Sequence, residues 1–170
     1  MLQRSLAAGR LMVPAIALGC WRLHQRGHDE VTALLDAAMH NGINFFDHAD
    51  IYGQGQSERI FSDAVHELGL PRESMLLQSK CGIRNGYYDS GSRHILDSVD
   101  GILERLDTDY LDILLLHRPD ALMEPDEVAE AFSTLAAAGK VRHFGVSNFR
   151  PSQIELLQRS IDADLIVNQL

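Results

Sequence analysis

Asp47, Tyr52, Lys80 and His117 together supply what protonation of a carbonyl oxygen requires: a phenol to give the proton, a charged pair beside it, and an imidazole to hold the oxygen. A lysine directly after a buried strand sits where desolvation disfavours its charge, so Asp47 at the neighbouring strand end is its natural partner. Lys80 beside the phenol is expected to favour phenolate and to lower the Tyr52 pKa from its reference of about 10. That makes Tyr52 a usable general acid near neutral pH, with His117 donating a hydrogen bond to the same oxygen. Singly, each residue has a plainer role: Asp47 caps a turn, Tyr52 is a loop aromatic, Lys80 snorkels to water, and His117 ends a strand. Their coincidence at three successive strand ends favours a shared site.

Other residue types carry weaker signals. Asp47, His48, Asp50 and His117 are metal-ligand types, but the chain has no His-x-His pair, and the third strand offers Lys80 in place of a ligand. A metal site is therefore not expected. Ser147-Asn148 reads equally as a helix N-cap pair or as ligand-binding residues, and Trp21 taken alone reads as core.

The elements that must position these residues follow from hydrophobic periodicity. Apolar runs over 15–18, 43–46, 75–79, 113–116, 143–146 and 165–167 read as buried strands, and polar residues follow at their carboxyl ends. Helical spacing places amphipathic helices over 29–41, 57–68, 92–107, from 125 to 139, and over 152–160. Gly101 stands inside the third of these at a cost of about 1 kcal/mol relative to alanine. The loop over 81–91 is longer than usual and is a candidate pocket wall. A strand-helix unit repeated in this way implies parallel strands with right-handed crossovers. Polar residues at every strand end favour a TIM-type (β/α)8 barrel over a doubly wound sheet, which concentrates its site at one switch point.

The chain of 170 residues has room for one domain over 1–170. Its content of 45% hydrophobic and 23% charged residues is ordinary for a globular protein. A net charge of −9 argues against general affinity for nucleic acid or anionic membrane. Cys20 and Cys81 are too far apart for a Cys-x-x-Cys pattern, so reduced thiols and a cytoplasmic location are expected.

The segments Asp47-His-Ala-Asp-Ile-Tyr52-Gly53, Gln78-Ser79-Lys80 and Leu115-Leu116-His117-Arg118-Pro119 resemble the signature blocks of the aldo-keto reductase family. So do Gly139-Lys140-Val141-Arg142, Gly145-Val146-Ser147-Asn148-Phe149 and Val167-Asn168-Gln169. The resemblance implies a nicotinamide-dependent oxidoreductase that reduces an aldehyde or ketone to an alcohol. Tyr52 would be the proton donor, Lys80 and Asp47 would tune it, and His117 would orient the carbonyl. Ser147, Asn148 and Gln169 would hold the nicotinamide carboxamide, with Gly19, Trp21 and Asp47 close to the cofactor. NADP(H) is favoured over NAD(H), although no residue here reads the 2′-phosphate that distinguishes them. His48 departs from the threonine of many members.

A complete barrel of this type takes about 250 residues, so the expectation is a barrel truncated after about six strands, lacking units seven and eight. Its open edges invite self-association, and weak cofactor binding is expected. The alternative is a catalytically inactive truncated barrel that acts, if at all, as a binding or interaction subunit.

Overall fold

The computed structural model describes residues 1–6, 9 and 11–170. The chain opens with β1 (Gln3–Leu6) and β2 (Leu11–Pro14), an antiparallel hairpin. The repeating part follows as β3 (Leu18–Gly19), α1 (His28–His40), β4 (Phe45–Asp47), α2 (Gln56–Leu68) and β5 (Leu76–Cys81). A small hairpin of β6 (Ile83–Arg84) and β7 (Tyr87–Tyr88) precedes α3 (Ser92–Leu106), β8 (Leu111–Leu116), α4 (Pro125–Ala137), β9 (Val141–Ser147), α5 (Pro151–Gln158) and β10 (Leu165–Gln169). Six strands form one parallel sheet in the order β3-β4-β5-β8-β9-β10, curled as about half of a barrel wall.

Because side chains alternate across a strand, this sheet builds two apolar layers. Ile113 and Leu115 join Phe45, Leu76, Ile166 and Val167 on the inner face of the curl. Phe46, Leu77, Leu114, Leu116 and Phe144 pack outward against Phe61, Ile95, Val99 and Phe132 of the helices. The inner layer is closed from below by Leu6, Leu11 and Val13 of the first hairpin. Periodicity did not anticipate that hairpin, whose strands are too short to show alternation. Ala7, Ala8 and Arg10 lie outside the described residues.

The strand bounds differ from expectation where polar side chains find partners inside the sheet. Lys80 lies within β5, its backbone opposite Leu115, because its amine reaches Asp47 without interrupting the ladder. In the same way β9 extends through Ser147 and β10 through Gln169. The first expected strand over 15–18 shrinks to two residues that pair with Phe46 and Asp47. At the amino ends of the strands, Asp112 accepts from Arg72, Arg142 and the Leu77 N–H, tying β5, β8 and β9 together. The Tyr110 ring lies between those two guanidinium groups, 3.9 Å from Arg72 and 3.7 Å from Arg142, so its π-face meets cationic charge on both sides. No helix among the described residues is long and apolar enough to cross a membrane.

His48 occupies an outward position next to Phe46, completely buried and edge-on to Phe61 at 4.6 Å. Neither ring nitrogen has a hydrogen-bond partner among the described residues. Burial pushes its pKa down from 6.5 to about 3, so the folded chain holds a neutral imidazole. Between those values the unfolded chain binds the additional proton, so stability falls as pH drops from about 6.5 towards about 3. His48→Leu is expected to gain on the wild type by roughly 1.4 kcal/mol for each pH unit between about 6.5 and about 3. Melting curves recorded from neutral to acid pH check this; a constant difference between the two proteins across that range would refute it.

Candidate active site

The carboxyl ends of β4 and β5 lie side by side, with Asp47 opposite Gln78. Asp47 is therefore within reach of Lys80, two residues further along the same face of β5. The Lys80 amine donates to Asp47 Oδ1 at 2.6 Å, to the His48 carbonyl at 2.9 Å and to the Tyr52 hydroxyl at 3.4 Å. The side chains of this ion pair are only 3% and 13% exposed, so water screens the pair little. Asp47 accepts two further hydrogen bonds, from Gln78 Nε2 at 2.6 Å and Gln169 Nε2 at 3.0 Å. Gln78 received no role from the sequence. Its place two residues before Lys80 on an alternating strand was the signal that could have found it.

Tyr52 reaches this pair through a tight turn. The chain leaves β4, His48 N–H donates to the Gln78 carbonyl and Asp50 N–H to the Lys80 carbonyl, and Tyr52 N–H then closes on the Ala49 carbonyl. The phenol stands between two other rings: His117 edge-on at 6.0 Å, and Trp21 tilted at 6.4 Å. His117 follows β8 directly, its N–H donating to the Cys81 carbonyl. The structure thus brings Asp47, Tyr52, Lys80 and His117 together. The metal-ligand types do not share a face, since Asp47 points into the curl while His48 packs outward on Phe61.

Electrostatics differ from the sequence expectation at Tyr52. Burial, and after it the Asp47 carboxylate, pushes its pKa up to about 12, whereas Lys80 was expected to lower it. The reason is the ion pair: an amine bonded to Asp47 at 2.6 Å offers the phenol little net positive field. Burial also lowers the Lys80 pKa, against the opposing pull of Asp47. The His117 imidazole falls to about 4, through burial first and the Lys80 and Arg118 charges after it. At neutral pH the site therefore holds a protonated phenol and a neutral imidazole.

Next to Asp47, on the inner face of the curl, lies a cavity of about 350 Å³ lined in part by Gly19, Phe45, Asp47, Gln78, Val167 and Gln169. A Cβ built on Gly19 would meet nothing within 4 Å, so this edge of the cavity is open. Ser147 Oγ donates to the Gln169 carbonyl at 2.9 Å and accepts from Asn148 Nδ2 at 2.8 Å. Asn148 adopts a φ of 62°, a left-handed conformation that turns the chain out of β9 at this point. Of the residues expected near a cofactor, Gly19, Asp47 and Gln169 line the cavity, and Ser147 and Asn148 are bonded to the strand end that carries Gln169. Trp21 lies beside Tyr52 and is 59% exposed. The 81–91 loop, expected as a pocket wall, forms the β6-β7 hairpin. Its Arg84 and Asp89 line a groove of about 940 Å³ over α3 and α4 with charges of both signs, distinct from the cavity beside Asp47.

Comparison with known proteins places this geometry among relatives. The chain is 40% identical to the uncharacterized oxidoreductase YcsN of Bacillus subtilis, over 99% of this chain and 60% of that protein. It is 35% identical to a 6-dehydroglucose reductase of Agrobacterium fabrum, over 99% of this chain and 61% of that one. Among solved structures, an aldo/keto reductase from Klebsiella pneumoniae in complex with NADP and acetate superposes with a TM-score of 0.81 at 32% identity. That match covers 95% of this chain and 55% of the other. The chain therefore spans roughly 55–61% of the length of these relatives. Residues 15–170 match the aldo/keto reductase family, and this half-barrel chain belongs to that family.

Proposed function

We propose that this chain carries the acid chemistry of carbonyl reduction, with Tyr52 as proton donor. The observation that carries the reading is the Lys80 amine held between Asp47 and the Tyr52 hydroxyl, in an ion pair nearly closed to water. A small aldehyde or ketone would set its oxygen against the Tyr52 hydroxyl and the neutral His117. The Nδ1 of His117 is buried without a partner among the described residues, which leaves Nε2 as the nitrogen for the substrate. As negative charge grows on that oxygen, the phenol gives up its proton. A phenol with a pKa of about 12 retains that proton in the resting state. The Lys80 amine, aimed at the Tyr52 oxygen from 3.4 Å, then donates a hydrogen bond to the phenolate left behind, although Asp47 takes up most of its charge. Asp47 orients Lys80 and is itself held by Gln78 and Gln169.

A reduced nicotinamide cofactor would supply the hydride when bound. The residues beside Asp47 suit it: the cavity is open at Gly19, and Ser147, Asn148 and Gln169 present amide and hydroxyl groups for a carboxamide. NADPH is proposed in preference to NADH, in line with the NADP named for the Klebsiella structure. The 6-dehydroglucose reductase relatives make an oxidised sugar the first substrate to assay.

A second reading is a non-catalytic subunit that binds a partner. It is favoured by β10, which forms one edge of the sheet with no fully buried position and so offers unpaired backbone to another chain. Self-association through the open edges belongs to either reading.

Carbonyl-dependent NADPH oxidation should fall about 100-fold or more in Tyr52→Phe; equal rates in the two proteins would remove Tyr52 from the mechanism. Because the two titrating groups lie near 4 and 12, the wild-type rate should stay level with pH across the neutral range, rise into no phenolate-driven optimum, and decline only near those limits. A midpoint near neutral pH that is lost in His117→Ala would contradict the neutral imidazole. Sedimentation velocity over a concentration series should show the chain associating, and Lys substituted for Val167 should weaken that association; a monomer at all concentrations would dismiss the edge contact.

A further inference from the structure

The turn that carries Tyr52 is strained at one residue, Gln54. Gly53, Gln54 and Gly55 follow one another with φ of 58°, 55° and 85°, and Gln54 is not a glycine. Such a run persists only where the surroundings over-determine it. Two side chains press on it. The His24 ring lies against Gly53, where an added Cβ would come within 2.4 Å of it, and His24 Nδ1 is tied to Ser57 Oγ at 3.0 Å. The Arg105 side chain lies across Gly55, where an added Cβ would meet Cδ at 2.5 Å and Nε at 2.7 Å.

Arg105 is itself locked. Its Nε donates to Glu58 Oε2 at 2.6 Å, and the two side chains are 19% and 0% exposed. Glu58 Oε1 accepts from Ser79 Oγ at 3.0 Å, and Ser79 is the residue before Lys80. Gly101, one turn back on α3, leaves the space that the guanidinium fills: a Cβ there would stand 2.9 Å from Nη1. This accounts for a glycine in the middle of α3.

We infer that Arg105 is a positioning residue for Tyr52: its ion pair with Glu58, seated between Gly55 and Gly101, holds the Tyr52–Gly55 turn in register with the strand that carries Lys80. Arg105 does not touch the reacting atoms. It acts through Gly55 on one side and through Glu58 and Ser79 on the other, so the phenol and the amine are referenced to a single pair of charges. The inference rests on the proposed role of Tyr52 only for its effect on rate.

The experiment titrates Tyr52 in the full chain labelled with 13Cζ-tyrosine, its signal assigned by loss in Tyr52→Phe, with no substrate or cofactor present. At about pH 10, where a free phenol is half ionised, the wild-type Tyr52 should remain protonated. Arg105→Met removes the clamp, admits water to the turn and should show substantial phenolate at the same pH, with Arg105→Lys restoring part of the protection. Gly101→Ala places a methyl against the guanidinium while improving the helix. Because the methyl shifts the guanidinium without removing it, this variant should melt lower than the wild type by less than Arg105→Met does and still show more phenolate, which also serves if Arg105→Met does not fold. Folded Arg105→Met or Gly101→Ala with Tyr52 protected as in the wild type would overturn the assignment. Where the wild type reduces carbonyls, kcat should fall about 10-fold to 100-fold in these variants with KM nearly unchanged. Where it does not, the titration decides the positioning role independently of the reaction.

Discussion

The Lys80–Asp47 ion pair is the interaction around which the structure is arranged. A lysine whose side chain is 3% exposed is tolerable only with a partner at hydrogen-bond distance, and Asp47 provides it at 2.6 Å. The carboxylate is in turn saturated by Gln78 and Gln169, which come from strands far apart in sequence. One pair therefore ties β4, β5 and β10 together at their carboxyl ends. It also has an electrostatic consequence: with the amine's charge largely spent on Asp47, burial dominates the phenol and holds it protonated.

Tyr52 stands outside the sheet and must be brought to that pair by loop geometry. Three consecutive left-handed residues follow it, and at Gln54, the one of them with a side chain, that conformation is costly in isolation. The neighbouring helices supply the constraint, His24 from the segment before α1 and Arg105 from α3. The outer layer thus does more than cover apolar strands. Buried charge on the helix side, at Glu58, is linked through Ser79 to the strand that presents Lys80.

The inner face of the curl gathers less apolar surface than the outer. The first hairpin closes it from below, and the cavity beside Asp47 opens at Gly19. β10 remains half-exposed along its length and yet carries Gln169 to the centre of the site. The same edge strand thus joins an exposed border of the sheet to the Asp47 carboxylate.

Much of this was legible in the order of residues. Apolar runs that lead into Asp47, Lys80, His117 and Ser147 specify parallel strands with chemistry at one edge, because burial on both faces favours near-continuous apolarity and a polar side chain inside it, such as Gln78, Lys80 or Asp112, needs a partner there. The Asp47-to-Gly53 segment and its companion blocks identify the family. What periodicity could not show was the set of contacts that depend on sequence-distant approach: Gln169 on Asp47, Arg105 on Gly55, and the first hairpin under the barrel. Nor could composition give the direction of the Tyr52 pKa, since proximity to a lysine lowers it while burial beside an already paired lysine raises it. Residue types and their spacing determined which groups are present and in what strand order. Only tertiary packing decided how far each is buried and which partner claims each charge, because both depend on distances that close when the sheet curls.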